Sequence, residues 1–201
     1  MHSSIARVIA AEWDRLGSPG TWWTGTQRTE IGRQARRARD GEPVDDSELP
    51  DLVIEAIRKI AVDAHTIDQA WIQRCHERGL EPLPMVELLA VIAKLVAIDT
   101  FLEGTGEQER PLPESQKGEP SRAIVEGATI NGGWLPTKGT AGAPVCFSAV
   151  AAEEQAWHEL HSVLYLSTEE MRDLDVNKDG LHRSQIELLA ARTSHYNDCF
   201  Y

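Results

Sequence analysis

Only three cysteines occur in 201 residues, Cys75, Cys146 and Cys199. Their number is odd and their spacing wide, which argues against the paired framework of a small disulfide-stapled domain. The start, "MHSSIARVIAAEWDRLG", lacks the basic residues and apolar run of a secretory signal. The chain therefore reads as cytoplasmic, in a reducing compartment. A surplus of basic charge is also missing. The formal net charge is −12, which disfavours nonspecific contact with nucleic acid and a polybasic contact with membranes, since both need Lys and Arg to meet phosphate. Long uncharged apolar runs are absent too. The most apolar stretch, "MVELLAVIAKLVAIDTFL", carries Glu87, Lys94 and Asp99, whereas a bilayer span needs about 20 nearly uncharged residues. Finally, no stretch alternates apolar and polar residues as a half-buried strand would. The expected fold class is all-α.

Helical signals are plentiful. "SSIARVIAAEWDRLG" reads as a short helix closed at Gly17. Thr24 and Gln27 have the spacing of a capping box before the next helix, whose arginines Arg33, Arg36, Arg37 and Arg39 read as a solvated C-terminal end that suits the helix dipole. Pro50 suits the opening of a helix that carries Leu52, Ile54, Ile57 and Ile60 at helical period. Thr66 and Gln69 suggest another capping box, with Gly79 as the stop. The longest helix should begin near Pro84 and stop at Gly104. Residues 105–146 are rich in Gly, Pro and Thr and read as a linker, partly ordered by Trp134 and Leu135. A further helix, "SAVAAEEQAWHELHSVLYL", a Ser167–Glu170 capping box and a closing helix follow. The expected organisation is a helical unit over 1–104, a linker over 105–146 and a second helical unit over 147–201. Trp22, Trp23 and Trp71 are expected as core anchors.

Two helices share a pattern. Glu-Leu-Leu-Ala occurs at Glu87 to Ala90 and again at Glu187 to Ala190, and Asp99 then falls where Cys199 falls. The match suggests duplication, with the cysteine kept only in the second unit. Glu187 precedes Cys199 by a little over three helical turns. A carboxylate can accept a thiol's proton, and a thiolate is a nucleophile. The plainer alternative is a Ser184–Glu187 capping box with a bystander cysteine. "DVNKDG", from Asp175 to Gly180, resembles the start of a calcium loop but lacks the acidic residue at the twelfth position, Ile186. It reads as a turn, with a calcium module through Asp175, Asn177 and Asp179 as the lesser alternative. His158 and His161 share a helical face without a third ligand, a weak metal signal. No metal or cofactor is expected.

The closing "QIELLAARTSHYNDCFY" resembles the alkylhydroperoxidase D-like and carboxymuconolactone decarboxylase superfamily, in its peroxidase-related members. Glu187, Ser194, Asn197 and Cys199 match the family's glutamate followed three turns later by Cys-x-x-Cys. "GTWWTG", "WIQRCHERGLEPLPMVELLAVIAKLVAIDTF" and "PLPESQKGEPSR" extend the resemblance over most of the chain. It implies an all-helical homo-oligomer acting as a thiol-dependent peroxidase. Glu187 would help deprotonate a thiol, Cys199 would reduce a small hydroperoxide, and a dithiol protein would restore it. Measured against the family, the chain reads as truncated within the motif, because the second cysteine and the histidine would fall past Tyr201. At the end of a helix, beside Asp198, Cys199 would have a raised pKa. The competing expectation is a non-catalytic helical interaction protein.

Overall fold

The computed structural model describes residues 2–197. Seven α-helices are found among the described residues: α1 (Ser3–Gly17), α2 (Gly25–Arg39), α3 (Asp51–Val62), α4 (Gln69–Glu77), α5 (Pro82–Gly104), α6 (Ala151–Leu164) and α7 (Arg183–Tyr196). Two antiparallel strand pairs accompany them. β1 (Ala128–Thr129) pairs with β2 (Thr137–Lys138), and β3 (Asn177–Lys178) with β4 (Leu181–His182). The fold is mostly helical, as the sequence pattern implies. Each strand is two residues long, too short for any alternation to be read in the sequence.

The helix ends follow local chemistry. Thr24 and Gln27 form the expected reciprocal box at the start of α2. Pro50 caps α3, and proline falls in the first turn of α5, where a missing N–H costs nothing. Two expected caps are different. The α4 N-cap is Asp68, whose carboxylate accepts from Trp71 N at 2.7 Å, while Thr66 turns back to Asp63. The α7 N-cap is His182, boxed with Gln185 rather than Ser184 with Glu187. Carboxylate and imidazole acceptors won over the hydroxyls at both ends. The Ser167–Glu170 box is present, at a single 3₁₀ turn.

The α5 helix is the axis of the fold. Leu88, Val91, Ile92, Leu95, Ile98 and Leu102 are all buried, and so are Glu87, Lys94 and Asp99. A helix buried on every side must be covered on every side, and α2, α3 and α6 pack against it, with α1 laid on α2 and α6. Ile9, Ile31, Ala35, Ile57, Trp23 and Trp71 complete the same core; Trp22 is half-buried against it. Each fully buried leucine or isoleucine among them contributes roughly 1.5–3 kcal/mol on burial.

The segment expected as a linker begins by running along the first helices. Trp13 Nε1 donates to Pro111 O at 2.8 Å, Gln116 N to Gly17 O at 2.7 Å, and Ser121 N to Gly20 O at 3.0 Å. Likewise α6, expected with the second unit, packs against α1 and α5. The α7 helix is different. None of its described residues is buried, and Leu188, Leu189 and Tyr196 are exposed. No helix among the described residues is long and apolar enough to cross a membrane.

Candidate functional site

Glu187 lies in the first half of α7 and is half-exposed. Its Oε1 accepts from Tyr165 Oη at 3.0 Å and from Arg183 Nε at 2.6 Å. Arg183 is one turn earlier on the same helix, and its guanidinium also donates to Glu170 O at 2.9 Å. That bond ties α7 to the turn before the β3–β4 hairpin. Tyr165 follows directly on α6. Burial and then the Glu187 hydrogen bond push its phenol above the usual tyrosine range, so Tyr165 is the donor in this bond.

The Tyr165 ring is packed edge-on to His161, with centroids 5.2 Å apart. His161 Nδ1 lies 2.8 Å from Leu166 O. A carbonyl only accepts, so Nδ1 carries the proton and Nε2 is the acceptor nitrogen. Burial lowers the imidazole pKa and favours this neutral form. His161 thus packs on the Tyr165 ring, and Tyr165 donates to Glu187. Sequence spacing singled out Glu187 but not Tyr165, which is 22 residues away and on another element. In the sequence His161 reads only as half of a weak histidine pair. His158 points elsewhere, with Nε2 4.0 Å from Glu154. No group of three or more metal-binding side chains occurs among the described residues.

Cys199 lies outside the described residues, so the expected Glu187–Cys199 pair is represented by its glutamate alone. Cys75 and Cys146 are free thiols. Cys75 is buried, and burial raises its pKa. Burial pushes Cys146 up to about 11. Neither is poised as a thiolate at neutral pH.

The described residues hold a larger constellation that sequence reading missed. Arg28 Nη1 on α2 donates to Glu87 Oε1 on α5 at 2.5 Å and to Glu153 Oε1 on α6 at 2.7 Å. Lys94 Nζ on α5 lies 2.5 Å from both Glu153 Oε2 and Glu12 Oε1 on α1. All five residues are buried. Glu87 Oε2 further accepts from the backbone N–H of Thr21 at 3.0 Å and of Trp22 at 2.5 Å. Gly20 makes room for this, since a Cβ there would run into the Glu87 carboxylate. Three carboxylates face two cations. Burial pushes Glu153 up, but Lys94 and Arg28 outweigh it and hold the acid at about 2. Burial raises Glu87, against the pull of Arg28, and neighbouring Glu153 adds to the rise.

A second seam lies further along the same two helices. Arg36 and Arg39 of α2 meet Asp99 of α5, with Arg36 Nη2 at 2.7 Å and Arg39 Nη1 at 3.4 Å. Arg36 is buried, which corrects the expectation of a wholly solvated arginine cluster. Asp99 needs a cation because it is buried. The legible signal was there: charges in an apolar helix at 87, 94 and 99 require buried partners of opposite sign. "DVNKDG" folds as a two-residue hairpin turn, with Asp179 at φ +51° and Gly180 at φ +87°. Asp and Gly tolerate that left-handed geometry.

Comparison of this chain with known protein families, with characterised proteins and with solved structures found no match.

Proposed function

We propose that this chain is a thiol-dependent peroxidase of the alkylhydroperoxidase D-like kind, working as a homo-oligomer in a reducing compartment. The observation that carries the reading is the 3.0 Å hydrogen bond from Tyr165 to Glu187. It gives the carboxylate a phenol through which a proton can be relayed, on a helix that leads toward Cys199. In the proposed cycle Glu187 is the final acceptor of the thiol proton, through a relay that includes Tyr165. The Cys199 thiolate attacks the distal oxygen of a hydroperoxide. The O–O bond breaks, the sulfur is oxidised to a sulfenic acid, and the leaving alkoxide takes a proton to become an alcohol. One thiol of a dithiol protein then displaces water to form a mixed disulfide. Its second thiol releases Cys199, and the partner leaves as a disulfide.

The test is consumption of cumene hydroperoxide in the presence of dithiothreitol. Wild-type protein should turn over, and Cys199→Ser should not. Equal rates in the two would sink the proposal.

A second reading is favoured by α7 itself. Its exposed Leu188, Leu189 and Tyr196 suit a helical interaction module. Absence of peroxide turnover together with a stable oligomer by light scattering would select that reading instead.

A further inference from the structure

A cavity of about 300 Å³ opens where the starts of α2, α3 and α5 come together. Trp22, Trp23, Arg78 and Arg122 line it, and it shares no residue with the Glu187–Tyr165 pair. Its volume lies at the small end of ligand sites.

Trp22 and Trp23 are the aromatic part of its lining. Trp23 is fixed by a 3.0 Å hydrogen bond from Nε1 to Pro84 O. The Arg122 guanidinium stands over the Trp22 ring, 5.2 Å from its centroid. Among the described residues no carboxylate pairs with Arg122. By contrast, Arg78 is already engaged by Glu55 at 2.8 Å. Glu81 is the one acid lining the cavity, so the lining carries one more cation than anion.

The backbone at Arg122 adds an independent observation. Its φ is +54°, the left-handed region that costs a non-glycine residue about 1–2 kcal/mol. The conformation is held by Arg122 N donating to Thr21 O at 2.9 Å and Ser121 N donating to Gly20 O at 3.0 Å. The chain thus keeps an arginine where glycine would be easier. Strain of this kind points to a task for the side chain. Three helix starts border the cavity. Pro50 caps α3, Glu81 caps α5 and Gln27 sits in the first turn of α2, so the first turns of three helices border one space.

We propose that this cavity binds a small flat aromatic carboxylate. The ring lies against the tryptophan faces, and the carboxylate takes the paired N–H donors of Arg122.

Calorimetric titration of the full chain with benzoate tests this, with inorganic phosphate as the comparison anion. Wild-type protein should give a saturable signal with benzoate and a much weaker one with phosphate. Arg122→Gly should melt at a higher temperature, because glycine relieves the φ strain, and should bind benzoate at least about tenfold more weakly. Arg122→Gln, which keeps the length and loses the charge, should show the same loss of binding. Absence of saturation into the millimolar range would overturn the proposal. So would undiminished benzoate binding in either variant, or phosphate binding as tight as benzoate binding.

Discussion

Lys94 Nζ sits 2.5 Å from Glu153 Oε2, with side chains 0% and 4% exposed, and so joins α5 to α6 through the interior. The same ammonium reaches Glu12 on α1 at 2.5 Å. Three helices meet at one cation. Moving such charges out of water costs several kcal/mol per ion, and their mutual attraction offsets this only when every partner is present. The cluster therefore specifies which helices pack together more than it adds net stability.

Removing the cation takes the shared ammonium from two buried carboxylates, leaving Glu153 with Arg28 alone and Glu12 with Arg15 at 3.4 Å. Lys94→Met should destabilise the fold by about 3–5 kcal/mol, measured as the shift in the urea unfolding midpoint. Lys94→Met combined with Glu153→Gln should recover part of the loss, because one of those two buried charges is then gone. A single variant that unfolds at the wild-type midpoint would show that Lys94 is not the keystone.

Acid should attack the same cluster in a definite direction. The folded-state pKa of Glu153 is depressed to about 2, so its contribution is present above the unfolded carboxyl pKa of roughly 4.3 and is lost as pH falls from there through about 2. Glu87 works the opposite way. Its folded pKa is raised, so its contribution is largest below the unfolded value and declines as pH rises through the folded one. Glu153→Gln should flatten the acid limb of unfolding free energy against pH. Glu87→Gln should be the milder substitution at pH 7, since Gln keeps the acceptor for Thr21 and Trp22 and removes the surplus charge. Greater destabilisation by Glu87→Gln than by Glu153→Gln would contradict this ordering.

The proposed relay predicts rate effects without loss of fold. Glu187→Gln should lower the peroxide-reduction rate by about 100-fold, the low end for a general base. Tyr165→Phe should give a smaller loss in the same sense. Both should melt within a few degrees of wild type, because Glu187 is half-exposed and α7 buries nothing. The rate of alkylation by iodoacetamide against pH gives a second readout. Its midpoint should move up in Glu187→Gln if the carboxylate assists deprotonation, and an unmoved profile would remove Glu187 from the mechanism.

Thiol labelling should discriminate among the cysteines. Cys75 is 2% exposed and Cys146 titrates near 11, so both should react slowly with an aromatic disulfide at pH 7.5. A single fast phase should be present in wild type and absent in Cys199→Ser. A fast phase that survives the substitution would have to come from one of the other two thiols.

Assembly, if it uses α7, should depend on its exposed apolar residues. Leu188→Glu with Leu189→Glu should leave the helical circular dichroism unchanged and reduce the scattering mass of an oligomer to that of one chain. An unchanged mass would place the interface elsewhere.

The sequence settled a good deal that depends only on local rules. Helix-period apolar residues, the Thr24–Gln27 box, Pro50, Pro84 and Gly104 marked most of the helices, because hydrogen-bond spacing within a few residues decides them. Glu187 was legible as a candidate for the same reason. The caps of α4 and α7 were misread, because several acceptors stand within reach of the same backbone N–H groups and local spacing alone does not rank them. What only the tertiary structure decided is which distant side chains meet. Arg28, Glu87, Lys94 and Glu153 span three helices and more than a hundred residues, and a buried charge in α5 states that it needs a partner without saying which. The same holds for Tyr165 beside Glu187 and for Arg122 over Trp22. Pairings across elements are set by packing, where burial makes an unpaired charge costly and so selects one arrangement of helices from the many that the local pattern allows.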